Sequence, residues 1–241
     1  MGIRTYEELI GKHEGECCFI CGAGPSLYNW CSSYRQRDIF EHVVISVNSS
    51  IMVMHWDEGE PNKRYWVSND ALCRRWSWWE DVKKAKCTKV VRDSWLKYKD
   101  ELEDFIFFSP RLTSEGIVNA EDKGLAYCSS VPTSIDLAIQ MGCKKIFLLG
   151  VDHCKCSWRT HYYELLWENE PEKLPKQVGG SAQQSWEGQK KVFEFNNMAY
   201  KALHDFAIDR SVEIYNCSTC SEVKEFLKPT YNYAFEIIKR E

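Results

Sequence analysis

The stretch from Cys17 to Leu27, Cys-Cys-Phe-Ile-Cys-Gly-Ala-Gly-Pro-Ser-Leu, constrains the fold more than any other. Residues 18–21 are apolar without alternation, as in a strand covered on both faces. Gly22 and Gly24 permit close approaches that a Cβ would block. Pro25 suits a first helical turn, where it has no N–H to leave unpaired. The stretch therefore reads as buried strand, tight turn and helix start. Such a turn aims backbone N–H groups and a positive helix end at one spot beyond the sheet, where phosphate is a frequent occupant. Gly22, Ala23, Gly24, Pro25 and Ser26 are the expected phosphate contacts, with the Ser26 hydroxyl as an added donor. Two glycines fall short of the three of the dinucleotide fingerprint, and no Lys-Ser/Thr of a P-loop follows, so a tight turn without a ligand stays open.

The rest of the chain supplies further strands. Residues 42–47, 63–68, 89–92, 105–108, 145–150 and 212–215 are short apolar or β-branched runs. Helical patterns are expected over 6–12, 71–86, 95–103, 129–142, 187–208 and 221–227, with a short helix or irregular segment at 27–37 and a helical tail after Pro229. In the longest, Val192, Phe195, Ala199, Ala202, Leu203 and Phe206 repeat at helical spacing. Strands alternating with helices predict an α/β fold: a Rossmann-like, mainly parallel sheet with helices on both faces, in three α/β/α layers. A single domain over 1–241 is expected, with a lid or insertion at about 154–186, where no period is visible. A long polar loop is expected over 109–127.

In such sheets ligands sit beyond the carboxyl ends of the strands. The residues there are Gly22 to Ser26, Asn48 and Ser49, Asn69 and Asp70, Asp152 and His153, and 216–218. Small, polar and acidic side chains recur at these ends, as suits a hydrogen-bonded ligand, although any sheet needs polar loops. His153 and His161 are the histidines nearest the expected cleft, and a His beside an Asp can act as a general base. Asp152 either orients such a base or caps the following turn. Arg74 and Arg75, with Trp76, Trp78 and Trp79, form either a stacking wall or a half-buried amphipathic helix.

Composition narrows the class. The 241 residues carry a net charge of −4, so no basic excess exists to hold a nucleic-acid backbone. No apolar run approaches the roughly 20 residues of a membrane span, and residues 1–16 lack a leader's apolar core, so a cytoplasmic protein is expected. Ten Trp suit a flat-walled cleft or an interface, a homo-oligomeric one included, or a bulky core. Twelve Cys read as reduced thiols in such a compartment. The Cys18/Cys21 and Cys217/Cys220 pairs lack the close spacing of a zinc site, and no metal ligand set is assigned.

Five segments appear in an order that resembles a known group: 19–27, Val44-Ile-Ser-Val-Asn48, Trp66-Val-Ser-Asn-Asp70, residues 144–152 ending in Gly-Val-Asp152, and Ile214-Tyr-Asn-Cys-Ser218. They are similar to the domain-of-unknown-function-115 group, which includes archaeal 6-hydroxymethyl-7,8-dihydropterin pyrophosphokinases and flagellin-glycosylation motility accessory factors. They also resemble the bacterial family-42 sialyltransferases, which share the Gly-x-Gly-Pro-Ser-Leu turn. The sialyltransferase resemblance implies that Gly22, Gly24, Pro25, Ser26 and Asn48 hold the nucleotide of an activated sugar. It implies that Ser129 and Ser130 stand at a helix start beside that nucleotide. It also implies that Tyr162 and Tyr163 assist the leaving phosphate. The family's His before the long helix has no counterpart in 183–197; Asp152, His161 and His153, placed near the expected cleft, are the catalytic candidates. The implied function is a glycosyltransferase using a nucleotide or nucleotide-sugar donor and an acceptor the sequence does not name. The pyrophosphokinase resemblance implies the alternative, diphosphate transfer from ATP with Mg²⁺, for which Asp70 is the matching acid. A non-catalytic nucleotide-binding module is the third reading.

Overall fold

The computed structural model describes residues 3–102, 104–111, 123–154, 159–177, 186–218 and 220–239, with Trp186 by its backbone alone. Its strands are β1 (Arg4–Thr5), β2 (Cys17–Cys21), β3 (Val43–Val47), β4 (Arg64–Ser68), β5 (Thr88–Arg92), β6 (Phe105–Phe108), β7 (Pro110–Arg111), β8 (Leu125–Ala126), β9 (Lys145–Leu149) and β10 (Glu213–Asn216). The helices are α1 (Leu27–Cys31), α2 (Trp79–Lys84), α3 (Ser130–Gln140), α4 (Tyr163–Leu166), α5 (Trp186–Ile208) and α6 (Tyr231–Ile238). Eight strands form one sheet in the order β1-β6-β5-β4-β3-β2-β9-β10, with every pairing parallel. The short strands β7 and β8 pair with each other.

The order locates the site. From β2 the chain steps outward through β3, β4, β5 and β6, then returns to the far side of β2 for β9 and β10. The strand order therefore reverses between β2 and β9, which run parallel. The crevice beyond their carboxyl ends is where open α/β sheets place ligands.

All five residues of β2 are buried, and they face alternate sides. Cys18 and Ile20 join Ile135, Ala138, Tyr200 and Leu203 of α3 and α5 in one apolar layer. Phe19 and Cys21 face the opposite layer, with Leu27 and Trp30 of α1, Tyr163 of α4 and Phe235 of α6. Phe19 stacks on Phe147 of β9 at 5.1 Å, which fixes the two strands side by side across the reversal. Trp66, Trp78 and Trp95 form a third cluster under β4 to β6. The expected three-layer, Rossmann-like α/β architecture is the one observed.

Several expected elements differ. The helix over 71–86 is broken into a 3₁₀ turn, Ala71–Arg75, and α2. The break falls where the Ser77 N–H donates to the Lys176 carbonyl (2.8 Å) and Trp76 bridges Gln177. Residues 93–101 form 3₁₀ rather than α-helix. No helix forms over 221–227: Leu227 bridges Tyr215 and its carbonyl takes the Asn216 N–H, so that stretch runs extended along the edge of β10. Phe195, expected on the buried face of α5, is 40% exposed, while Asn196 and Tyr200 are buried. Of the expected lid, 159–177 is described and is packed rather than loose: Tyr162 is fully buried, and Leu166, Trp167 and Leu174 lie against its cluster. Most of the expected loop 109–127, and Cys156, lie outside the described residues.

Candidate functional site

The turn after β2 and the turn after β9 are bound to each other. The Gly22 N–H donates to the Leu149 carbonyl (2.7 Å) and the Gly24 N–H to the Gly150 carbonyl (2.8 Å). A Cβ on Gly22 would stand 2.5 Å from the Gly150 oxygen, and one on Gly24 2.6 Å from Asp152 Oδ2. Neither position accepts a side chain without a backbone shift. The Ser26 N–H donates to Asp152 Oδ2 (2.7 Å) and the Ser26 hydroxyl to Oδ1 (2.5 Å), with the Ser218 hydroxyl 2.7 Å from that of Ser26. The carboxylate of Asp152 thus takes the place at the turn expected for a phosphate.

The N–H groups of Gly22, Gly24 and Ser26 are thus engaged inside the protein. In the turn, the Ala23 N–H alone has no partner among the described residues, Pro25 having no N–H, and the Ala23 carbonyl takes the Tyr162 N–H (3.2 Å). Burial of Asp152, 2% exposed, raises its pKa, partly offset by the hydrogen bonds from Ser26 and Ser218.

Beside this clasp opens a cleft of about 280 Å³. One wall comes from Ala23, Gly24 and Pro25, with Val47 and Asn48 after β3 and Ser129, Ser130 and Val131 at the start of α3. Gly150, Val151, Asp152, His153 and Cys154 form its floor. Thr160 and His161 contribute one side, and Gln189, Val192, Phe193, Asn196 and Tyr200 of α5 the other. No Lys or Arg of the described residues lines it.

Asn48 reaches the cleft because its backbone turns left-handed (φ +50°), a conformation that Asn tolerates better than most residues. Its Oδ1 accepts from the Ser130 hydroxyl (3.3 Å), and its Nδ2 has no partner among the described residues. Ser130 Oγ in turn accepts the Asn69 N–H (3.0 Å), and Asn69 Nδ2 donates to Thr133 (2.8 Å). This network ties the ends of β3 and β4 to the start of α3. Ser129 is the N-cap of α3, yet its side chain makes no capping bond. The Ser130 and Val131 N–H groups have no helical acceptor, and no other partner for them occurs among the described residues. An eleven-residue helix therefore presents its positive end to the cleft.

The two histidines differ. His153 stacks on Phe193 at 4.4 Å, and its nitrogens meet Asn197 Oδ1 (3.2 Å) and the Tyr200 hydroxyl (3.3 Å). Burial pushes its pKa down to about 4. With both nitrogens engaged, it does not have the open lone pair expected of a base. His161 stacks on Tyr163, and its Nδ1 lies 2.9 Å from Thr160 Oγ1. The Thr160 hydroxyl is also within reach of Glu164 (3.4 Å). If that hydroxyl donates to the carboxylate, Nδ1–H donates to Thr160 and Nε2 holds the lone pair. Nε2 has no partner among the described residues, and burial lowers the His161 pKa, so the ring is neutral near pH 7.

The other expected contacts do not line the cleft. Tyr162 is fully buried with its hydroxyl on the Ser49 carbonyl (2.8 Å), and Ser49 is itself buried. Tyr163 packs under His161. Asn69 is engaged by α3. The Asp70 carboxylate caps the following turn through the Leu72 N–H (2.8 Å), which is not the position of a metal ligand in the cleft. Among the described residues no three His, Cys, Asp or Glu side chains converge. Gln189, Phe193, Asn196 and Tyr200 are not among the site residues expected from the sequence, and Val192 is expected only as part of the helical period of α5.

No helix of the described residues is long and apolar enough to cross a membrane. No protein-family model matches the sequence, and no curated protein matches it. Among solved structures, the chain is similar to the sialyltransferase CstII from Campylobacter jejuni in complex with the substrate analogue cytidine-5′-monophosphate. The TM-score is 0.48 at 12% identity, over 91% of this chain and 86% of that one. CstII with CMP-3FNeuAc gives 0.42 at 14% identity over 90% and 86%. A variant of the sialyltransferase CST-II with CMP gives 0.42 at 13% identity over 90% and 87%. At such similarity nothing about the activity of this chain follows from the likeness.

Proposed function

We propose that the cleft holds the nucleotide of an activated donor and that the chain is a transferase, passing a glycosyl group from a nucleotide-sugar to a hydroxyl acceptor. The carrying observation is the unspent donor set at the reversal of strand order: the Ala23 N–H, Asn48 Nδ2, the Ser129 hydroxyl, and the Ser130 and Val131 N–H groups. Such groups favour a phosphate without a basic side chain. The choice of sugar transfer rests on the motif order that resembles the family-42 sialyltransferases.

The step is a displacement at the anomeric carbon. The acceptor oxygen forms the new bond, the bond to the phosphate oxygen breaks, and the electron pair leaves with the nucleotide. The start of α3 stabilises that charge as it develops. The acceptor proton goes to His161 Nε2. Asp152 acts as a positioning residue, holding the turn after β2 against β9.

The test is incubation with CMP-, UDP- and GDP-activated sugars, with and without EDTA, following nucleotide release in the presence of mixed hydroxyl acceptors. Release from one nucleotide class, retained in EDTA, is the expected result. Release of AMP from ATP, strictly dependent on Mg²⁺, would replace this reading with diphosphate transfer. Binding without turnover would reduce the chain to a nucleotide-binding module.

A further inference from the structure

Asn196 lies in the middle of α5, on the stripe Gln189, Val192, Phe193, Asn196 and Tyr200 that walls the cleft. Spacings of three, four and seven residues put these side chains on one helix face. Asn196 is 4% exposed, and its Oδ1 is buried without a hydrogen-bond partner. No partner for its Nδ2 occurs among the described residues either. On the same helix, Asn197 Oδ1 is engaged with one His153 nitrogen and the Tyr200 hydroxyl with the other. Asn196 thus carries a buried amide oxygen with no partner, while its Nδ2 is not among the buried atoms left unpaired.

Proteins leave very few buried polar groups unpaired, because an unpaired one forfeits its hydration for nothing. An apolar residue of similar shape would spare that cost. At a position inside the core this would be an unexplained defect. On the wall of a cleft it has a use, since a ligand entering the cleft can supply the missing partners. A half-turn about the terminal torsion exchanges oxygen and nitrogen, so either end can be presented.

We infer that Asn196 is the specificity-determining residue of the cleft, pairing its carboxamide with a ligand edge that carries an N–H or O–H donor beside a lone-pair acceptor. A carboxamide offers the complement of that edge, one acceptor next to one donor. A nucleobase has such an edge, and so do neighbouring hydroxyls of a sugar. A site built this way discriminates strongly against analogues that lack the edge. The inference rests on the reading of the cleft as a donor site.

The test compares wild type with Asn196→Leu and Asn196→Ala, by thermal melting alone and by titration with CMP, UMP, AMP, GMP and ribose 5-phosphate. Without ligand, at least one variant is expected to melt at or above wild type. With ligand, both are expected to bind at least tenfold more weakly (about 1.4 kcal/mol). If the base supplies the edge, ribose 5-phosphate binds wild type and variants alike; if the sugar supplies it, ribose 5-phosphate is weakened as well. Variants that bind every nucleotide as wild type does would overturn the inference and leave the donor site standing. Unliganded melting more than about 5 °C below wild type in both variants would also overturn it, by showing that the amide stabilises the empty protein. A wild type that binds none of the compounds would refute the donor site itself, and this inference with it.

Discussion

Asp152 holds Ser26 by both of its donors, the backbone N–H on Oδ2 at 2.7 Å and the hydroxyl on Oδ1 at 2.5 Å. This pair closes the turn after β2 onto the end of β9, the two strands between which the strand order reverses. An acid at this place invites assignment as a base or a metal ligand. Its geometry gives it a different task, because both oxygens are occupied by the neighbouring turn.

Asp152→Ala should therefore cost stability, about 3 kcal/mol, since it leaves the Ser26 N–H without its charged acceptor. Asp152→Asn keeps an acceptor for that N–H, and the Ser26 hydroxyl can turn toward Ser218, so its loss should be about 1 kcal/mol. Urea denaturation measures both. Transfer by the Asn variant should stay within about tenfold of wild type, whereas loss of a general base typically removes 10²–10⁴-fold. A loss of that size in a folded Asn variant would return Asp152 to the catalytic list.

His153 makes a pH-dependent contribution whose sign is fixed by its burial. Its folded pKa, about 4, lies below the ordinary value of 6.5. Between these values the unfolded chain binds the proton and the folded protein does not, so stability falls as pH drops from about 6.5 to about 4. The full span corresponds to about 3 kcal/mol. In His153→Asn, which suits the left-handed backbone at this position (φ +55°), that part of the acid sensitivity should vanish. Denaturation midpoints at pH 7 and pH 4.5 for both proteins check it; equal acid losses would contradict it.

His161→Gln should lower the rate of transfer by roughly 10²–10⁴-fold while nucleotide affinity changes by less than about threefold. Single-turnover kinetics with the activated sugar, alongside calorimetric titration of the nucleotide, separates the two effects. A matching fall in affinity, with the rate intact, would make His161 a binding residue. Thr160→Val, which removes the hydroxyl beside Nδ1, should show a smaller rate loss in the same direction.

Much of this organisation was legible in the sequence. The unalternating apolar run before Gly22 predicts a strand buried on both faces, and β2 is one. The alternation of strands and helices predicts the layered parallel sheet, and the polar strand ends locate the crevice. What could not be read is how the turn spends its donors. Gly22, Gly24 and Ser26 look like an anion cradle locally. Their N–H groups are consumed by Leu149, Gly150 and Asp152, more than a hundred residues away, and only the pairing of β2 with β9 brings those together. Tyr162 misled for the opposite reason. The resemblance implies a role for it at the leaving phosphate, yet it is fully buried, with its hydroxyl donating to the Ser49 carbonyl. On α5 the apolar period gave the helix and, at Ala199, Leu203 and Phe206, its buried face; of the six periodic residues Phe195 alone is exposed, and the next residue, Asn196, is buried instead.

The most direct test of the account is a titration of wild type and Ser129→Asp with the nucleoside monophosphates, read by calorimetry and by melting. Asp is a good N-cap and its charge suits a helix start, so the variant should melt no lower than wild type. The same charge would sit at the open end of α3 and repel a phosphate. The account predicts saturable binding of at least one nucleotide by wild type and at least tenfold weaker binding by the equally stable variant. Unchanged affinity in the variant, or no binding by wild type, would contradict the assignment of this cleft as a nucleotide site.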